Sequence, residues 1–484
     1  MRGLVLVALL IGGPGFTGSA HAAPDVAGLL RERFAATGTP GAAWALVDGE
    51  SVEQVGTWGR DGDGAPVTED TPFLWGSVSK PVTATAVLTL VEAGKVDLDQ
   101  PVRTYLPAFT LADDGFAARI TVRHLLEHTS GIPEGAAEVT DRFTRRADPY
   151  GEAVADLAEV TPLAAPGTRF TYASVNYLVL GAVVEAVSDR PYADYLREHV
   201  LEPLDMTGAV TTPDQASGVP DGHSYAFGQP VGLAARFDEA GPSYGYLGGT
   251  VTDLAHFAMA QLNGGRYRST QVVARASVEQ MQHGTVRVTD AQRYGLGWRD
   301  DTRVAGNGVR SVWHAGASPG YQAMVVLLPG LDRGIVVLQN IYGFFHDGRL
   351  AATGLHAARL LAGGRPGDLP DDSTYPALLT GLVAVLAAAL GAVGWTVYRV
   401  VRPATTLPRR RRVLVSATCW TLGALALAYL AGILVPHTAG ASLSLVRLWA
   451  PDVGWLLTAI AIAGVLLAVT RLAAAYRRLR RGAG

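Results

Sequence analysis

The sequence predicts an α+β domain in residues 24–362, followed by a linker and three membrane-spanning helices. Strand patterns occur only near the two ends of the domain, and the residues between them are mostly helical or loop. Strands from both ends must therefore pair in one antiparallel sheet with a helical insert beside it. The predicted strands are residues 41–47, 52–58, 311–314, 322–328 and 334–338.

Three apolar stretches without charged residues follow a Gly-, Pro- and Asp-rich linker at residues 363–376. They cover residues 377–398, 413–436 and 453–470, and each is long enough to cross a bilayer as a helix. Buried core helices are the alternative interpretation. Three such stretches in succession with Arg-rich flanks favour membrane spans.

The N-terminus has the layout of a secretory signal peptide over residues 1–22, and an uncleaved anchor is the alternative. Arginines are abundant between spans one and two and after span three, whereas the loop between spans two and three has only Arg447. The positive-inside rule then places the C-terminus in the cytoplasm and residues before 377 outside. Both signals predict a multi-pass protein of the cell membrane with an extracytoplasmic domain.

Composition excludes several classes of site. The only cysteine, Cys419, lies in the second apolar stretch, so one chain can form no disulfide and no cysteine zinc site. The net charge of −3 gives no indication of a nucleic-acid partner. His124 and His128 are spaced like a metal-ligand pair, but we interpret them as structural residues. We expect no metal and no organic cofactor.

Lys80 is one of only two lysines among 40 basic residues, the other being Lys95. It stands three residues after Ser77, just before an apolar stretch that reads as a buried helix, so both side chains lie on one helical face. An ammonium can lose its proton, and a guanidinium cannot. Lys80 is therefore suited to be the base that activates a Ser77 nucleophile. A helix cap followed by a surface charge is the alternative.

Further motifs follow Ser77-Val78-Ser79-Lys80 in a fixed order and resemble those of the class C β-lactamase and penicillin-binding-protein-like serine hydrolases. The resemblance covers nearly all of residues 24–362. It implies the serine β-lactamase/DD-peptidase-like fold. The motifs cover residues 96–102, 120–131 (ending in His128-Thr129-Ser130-Gly131), 166–177 (with Tyr172-Ala173-Ser174), 202–206 (Glu202-Pro203-Leu204-Asp205-Met206), 294–298 (Tyr294-Gly295-Leu296-Gly297-Trp298) and 314–316 (His314-Ala315-Gly316).

The resemblance implies acyl transfer through a covalent serine intermediate. Ser77 attacks a carbonyl, Lys80 and Tyr172 share the proton transfers, and the backbone N–H groups of Ser77 and Ala317 form the oxyanion hole. Gly316 is expected to let the substrate backbone approach closely.

Two positions depart from the family pattern. His314 stands where the family commonly has a lysine, and a largely neutral imidazole anchors a substrate carboxylate more weakly. Ser174 stands where the family often has asparagine, and a hydroxyl cannot bridge two partners as an amide does. Asn176 is nearby but out of register. We still expect Ser174, His314 and Gly316 to contact the substrate, with esterase or amidase activity favoured.

The expected function is hydrolysis of small esters, amides or D-alanyl cell-wall groups outside the membrane, so the expected partners are such a substrate and the lipid bilayer. A binding module that captures a β-lactam or muropeptide without turnover, and signals through the three helices, is the alternative. A separate transporter or oligomer interface has little support, because the spans contain few polar residues.

Overall fold

The computed structural model describes residues 25–306, 308–402, 409–438 and 440–481, so the predicted signal peptide at residues 1–22 lies outside the described residues. Within these ranges, eight strands form one antiparallel sheet in the order β2-β1-β14-β13-β12-β11-β10-β9. N-terminal strands thus pair directly with C-terminal ones, as the sequence predicts. The α+β class is confirmed.

The strands are β1 Gly41–Val47, β2 Val52–Gly59, β3 Phe73–Leu74, β4 Gly222–Ala226, β5 Gln229–Leu233, β6 Gly248–Gly249, β7 Arg266–Tyr267, β8 Thr270–Gln271, β9 Val286–Arg287, β10 Gln292–Tyr294, β11 Arg299–Asp301, β12 Ser311–Ser318, β13 Tyr321–Leu328 and β14 Arg333–Gln339. The helices around them are α1 Val26–Thr37, α2 Ser79–Glu92, α3 Asp114–Ala117, α4 Val122–Leu126, α5 Pro149–Ala155, α6 Ser174–Ser188, α7 Tyr192–Leu196, α8 Pro213–Ala216, α9 Val251–Leu262, α10 Arg275–Gln282 and α11 Asp347–Leu361. We call these elements together the sheet domain.

Strand β1 shows how the sheet is buried on both faces. Trp44 and Leu46 point into a core shared with α1 and α11, whereas Ala45 and Val47 point into a second core shared with α2, α9 and the helical insert. Successive side chains of a strand alternate between faces, so one strand serves both cores. Each fully buried Leu or Val contributes roughly 1.5–3 kcal/mol.

The sequence did not predict strands β9, β10 and β11, which extend the sheet beyond β12. Each has only two or three residues. A period-2 pattern cannot be read from so few positions, and these strands form because β12 offers them an edge. The predicted strand at 311–314 also extends four residues further, to Ser318.

The described C-terminal residues form α12 Thr374–Val401, α13 Arg410–Tyr429, a π-helical continuation Leu430–Leu434, α14 Val435–Thr438, α15 Leu443–Trp449 and α16 Pro451–Arg481. Three helical segments among them are long and apolar enough to cross a membrane: Thr374–Val401, Arg410–Thr438 and Pro451–Arg480. Each contains one predicted span. Helix α12 begins at Thr374, so its first turn lies inside the predicted linker. Ser373 is its N-cap residue, and the helix continues from there into the apolar span.

Candidate active site

A short 3-10 turn, Gly76–Val78, leads into α2 and holds Ser77 against strand β12. Gly76 has a φ of +54°, which favours glycine. A β-carbon added to Gly76 would lie 2.2 Å from the backbone nitrogen of Ala317. The turn can therefore approach β12 this closely only without a side chain at residue 76.

Lys80 lies on the first turn of α2 with no exposed surface. Its Nζ is 2.7 Å from Ser77 Oγ, 2.8 Å from the carbonyl oxygen of Tyr244 and 3.3 Å from Ser174 Oγ. The Tyr244 carbonyl can only accept a hydrogen bond. A neutral amine would donate to Tyr244 and Ser174 and keep its lone pair for the Ser77 hydroxyl proton.

The protonation of Lys80 is set mainly by burial, which lowers its pKa to about 7. The carboxylate of Glu134 raises the pKa, and the guanidinium of Arg299 lowers it further. A substantial fraction of Lys80 is therefore neutral near pH 7.

Tyr172 is brought to the same cleft. The Lys80 ammonium is 4.9 Å from the centre of its ring, and its hydroxyl lies close enough to Ser77 for that side chain to lower the pKa of the phenol. Burial raises the pKa of Tyr172, so the phenol stays protonated. The buried ring of His128 packs on it at 4.3 Å between centroids. His128 Nδ1 accepts the backbone N–H of Ala173 at 3.2 Å, and this hydrogen bond holds the backbone next to Tyr172 in place.

The edge of β12 faces the Ser77 turn. In the described residues, β11 pairs with β12 only as far as Trp313, so the edge beyond it is not covered by that strand. A β-carbon on Gly316 would lie 2.0 Å from the Trp75 carbonyl oxygen and 2.6 Å from the Ser77 nitrogen. The space at Gly316 is thus occupied by the Ser77 turn. The turn that contains Ser77 and the backbone at Gly316 and Ala317 are therefore in close contact.

His314 is buried, and both its ring nitrogens have partners within the protein. Nδ1 is 2.7 Å from the carbonyl oxygen of Ala315, so it carries the proton, and Nε2 accepts from the Tyr294 hydroxyl at 3.1 Å. Burial, with Arg299 and Lys80 nearby, holds the pKa of His314 well below its usual range. His314 is therefore a neutral side chain whose ring lies 6.3 Å from that of Tyr172.

Two charged residues near the cluster were missed by the sequence reasoning. The Arg299 guanidinium lies 5.6 Å from the Tyr172 ring centre and 5.3 Å from that of Trp313. Glu134 accepts the backbone N–H of Ser174 at 2.6 Å. Arg299 directly follows the Tyr294–Trp298 motif, and this position in the sequence could have indicated that Arg299 lies near the site. Nothing in the sequence places Glu134, which follows the 128–131 motif in a loop.

The remaining expected residues lie as follows. Ser174 begins α6 with its hydroxyl on Lys80. Asn176 is buried, accepts from Ser130 Oγ at 2.7 Å and lies 3.1 Å from His128 Nδ1, so it supports the scaffold around Tyr172. His124 caps α4 by accepting the Thr121 N–H. Among the described residues, no group of three or more His, Cys, Asp or Glu could hold a metal ion.

An antiparallel sheet whose strand edge meets a helical insert at a partly exposed serine and a buried lysine defines the β-lactamase-fold serine hydrolases. The chain belongs to this family, because the family model described as Beta-lactamase matches residues 26–359. The chain is 34% identical over 327 residues to penicillin-binding protein 4 of Amycolatopsis lactamdurans, an alignment covering 64% of this chain and 84% of that protein.

Solved structures show the same fold. The octameric penicillin-binding protein homologue from Pyrococcus abyssi superimposes with a TM-score of 0.61 at 25% identity, covering 73% of this chain and 80% of that one. A D-stereospecific amidohydrolase from Streptomyces sp. superimposes with a TM-score of 0.55 at 26% identity, covering 66% and 95%.

Proposed function

We propose that the protein is a membrane-anchored, extracytoplasmic serine hydrolase that acts through an acyl-Ser77 intermediate. The observation that carries the proposal is the 2.7 Å contact between Lys80 Nζ and Ser77 Oγ, with the pKa of Lys80 lowered to about 7. A base with a pKa near the working pH is the most effective proton acceptor.

The chemistry balances with these residues alone. Ser77 Oγ attacks the carbonyl carbon while its proton moves to Lys80, and the oxyanion is held by the N–H groups of Ser77 and Ala317. Tyr172 protonates the leaving alcohol or amine and is reprotonated by Lys80. Water then attacks the acyl-serine, releasing the acid and restoring Ser77. The raised pKa of Tyr172 supports its role as proton donor.

The proposed substrates are esters, amides or D-alanyl cell-wall groups. The relatives named as a penicillin-binding protein and a D-stereospecific amidohydrolase support these classes. Arg299 supports substrates with a carboxylate, because its guanidinium lies beside Tyr172 and Trp313 and supplies the charge that neutral His314 does not. Ser174 and His314 are proposed to line the same substrate cleft, and Gly316 is proposed to contribute only its backbone, because the Ser77 turn fills the space where a side chain would lie.

Hydrolysis of p-nitrophenyl acetate by the full chain, followed by peptide mass spectrometry, tests the proposal. The Ser77→Ala protein should lose the activity and the acyl adduct on the peptide containing residue 77. Ser51→Ala is the matched control, because Ser51 is exposed in the turn between β1 and β2. Activity of Ser77→Ala equal to that of the parent would remove the proposal.

Capture without turnover remains the second candidate for the site, and the lifetime of the acyl-serine separates the two. A neutral lysine beside a protonated tyrosine supports deacylation as well as acylation. We expect the adduct to be lost within the turnover time. An adduct that persists for hours would make the protein a sensor.

The proposed topology places the sheet domain outside and the C-terminus in the cytoplasm. In a Cys419→Ser background, Ser51→Cys should react with a membrane-impermeant maleimide in intact cells. Arg478→Cys should react only after the membrane is permeabilised. The reverse pattern would contradict this orientation.

A further inference from the structure

The outer ends of two apolar helices are fixed to the sheet domain by a buried polar contact. Asp452, at the start of α16, accepts the backbone N–H of Phe227 at 2.9 Å and also accepts the Tyr375 hydroxyl from α12. The N–H of Gly228 donates to the Tyr375 oxygen at 3.3 Å. Buried groups paired in this way hold the β4–β5 hairpin and the two helices in one arrangement.

Helix α15, between the second and third apolar helices, carries Trp449 to the proposed catalytic cleft. Trp449 makes an edge-to-face contact with Tyr342, with 5.5 Å between ring centroids. The same buried cluster contacts both Trp449 and Ala317, the proposed oxyanion residue. Its members are Tyr225, Ile341, Tyr342 and Leu350. Trp449 therefore packs beside the β12 rim of the cleft.

The side chain of Trp449 also lies near the carboxyl of Asp141, whose pKa it lowers against the larger effect of burial. Asp141 accepts the Tyr246 hydroxyl at 2.6 Å, and its N–H donates to the Tyr244 hydroxyl at 2.8 Å. Tyr244 in turn holds Lys80 through its carbonyl oxygen. Trp449 thus bridges the cluster that contacts Ala317 and the carboxyl of Asp141, which is linked to Lys80 through Tyr244.

A cavity of about 1170 Å³ lies between the loop 135–156, where Asp141 is one of its lining residues, and residues 432–438 and 440–448. The sheet-domain side carries three arginines and four carboxylates, and Arg142 and Asp156 are paired at 2.7 Å. The opposite side is largely apolar, with Ile433, Pro436 and Leu445. This volume exceeds that of pockets for drug-sized ligands, which are about 300–1,000 Å³.

We propose that this cavity binds the apolar chain of an amphiphilic ester or amide that reaches Ser77 from the outer membrane surface, and that Trp449 positions it. The proposal rests on the proposed function and names its substrate class. The balanced charges on one wall do not select a single ionic headgroup, whereas the apolar wall continues from the end of the second span. A chain leaving the bilayer would enter the cavity along that wall.

The experiment uses the full chain in lipid nanodiscs and compares kcat/KM for p-nitrophenyl dodecanoate and p-nitrophenyl acetate. Ser444→Trp narrows the cavity at an exposed position of α15, and Trp449→Ala removes the bridge. Trp395→Ala, an exposed tryptophan of α12, is the matched control.

We expect the parent and Trp395→Ala to favour the dodecanoate ester by about tenfold or more, since each buried methylene contributes about 0.8 kcal/mol. Ser444→Trp should lose most of that preference with acetate hydrolysis within about threefold of the parent, and Trp449→Ala should lower dodecanoate hydrolysis more than acetate hydrolysis. A parent without preference, or variants that lose both activities equally, would overturn the inference. Failure of the proposed function is distinguishable, because Ser77→Ala would then hydrolyse acetate like the parent.

Discussion

The amine of Lys80 and the hydroxyl of Ser77 are 2.7 Å apart in a place where Lys80 has no contact with solvent. Exposed lysines have a pKa of about 10.4 and are almost fully charged at neutral pH. Burial changes this, because removing an ammonium from water penalises the charged form. The same packing that completes the core around α2 therefore produces a base beside the serine.

The first prediction concerns the pH dependence of kcat/KM for a neutral ester. In the proposed mechanism the neutral form of Lys80 is the active one, and the pKa of Lys80 is lowered to about 7. The rate should therefore rise with pH and level off above that value. Lys80→Arg should lose about a thousandfold or more, because a guanidinium stays charged throughout this range.

Lys95→Arg is the control for this change, since Lys95 is the other lysine of the chain and is exposed at the end of α2. It should keep both the rate and the profile of the parent. A parent rate that falls between pH 6 and 8 would contradict Lys80 as the base.

The second prediction uses the two charges that act on Lys80 in opposite directions. Arg299 lowers the pKa of Lys80, and Glu134 raises it. Arg299→Gln should therefore shift the rising limb of the pH–rate profile to higher pH, and Glu134→Gln should shift it to lower pH. Shifts in the same direction would show that a different group titrates.

The lysine count and the spacing from Ser77 identified Ser77 and Lys80, because both belong to one helical turn whose geometry is local. The long strands were equally readable, since β1, β13 and β14 are continuous apolar runs. Strand β11, which contains Arg299, could not be predicted, because three residues are too few to show a strand pattern. It forms only by pairing with β12.

The packing of the apolar helices against the sheet domain could not be predicted from the sequence either. Trp449 and Asp141 are separated by more than half of the chain, and only tertiary structure brings them together. Similarly, a histidine at residue 314 suggests a weaker anchor for a carboxylate. The guanidinium proposed to bind that carboxylate instead belongs to Arg299, which lies on strand β11.

The third prediction concerns Tyr172. Its hydroxyl lies near Ser77, and its ring packs on that of His128. Tyr172→Phe keeps the ring and removes the proton donor, so kcat should fall by about 10²–10⁴-fold with thermal stability nearly unchanged. Tyr398→Phe, at an exposed tyrosine of α12, should not change the rate. Full activity of Tyr172→Phe would assign the proton transfer to another group.

The fourth prediction concerns substrate charge. Arg299→Gln should lower kcat/KM by about ten- to a hundredfold for an ester with a free carboxylate near the scissile bond, since it removes a charged hydrogen-bond donor. The neutral methyl ester of the same compound should change by less than about threefold when each protein is assayed at the plateau of its pH profile. An equal loss for both compounds would mean that Arg299 acts only through Lys80.

The fifth prediction tests how the Ser77 turn meets β12. A methyl group on Gly316 would lie 2.0 Å from the carbonyl oxygen of Trp75, and this atom belongs to the backbone, which cannot rotate away. Gly316→Ala must therefore separate the turn from the strand, displacing Ser77 from Ala317. We expect a loss of about 3 kcal/mol or more in the free energy of unfolding and a larger loss of acyl transfer, because oxyanion donors act only at short range.

Gly330→Ala is the matched control for this change. An added β-carbon at Gly330 has no neighbour within 4 Å, so its stability should stay within about 0.5 kcal/mol of the parent. Chemical denaturation and p-nitrophenyl acetate hydrolysis measure the two effects separately. If Gly316→Ala were as stable and as active as Gly330→Ala, the turn and the strand could not be in the contact that assembles the site. Both backbone donors would then have to be sought elsewhere.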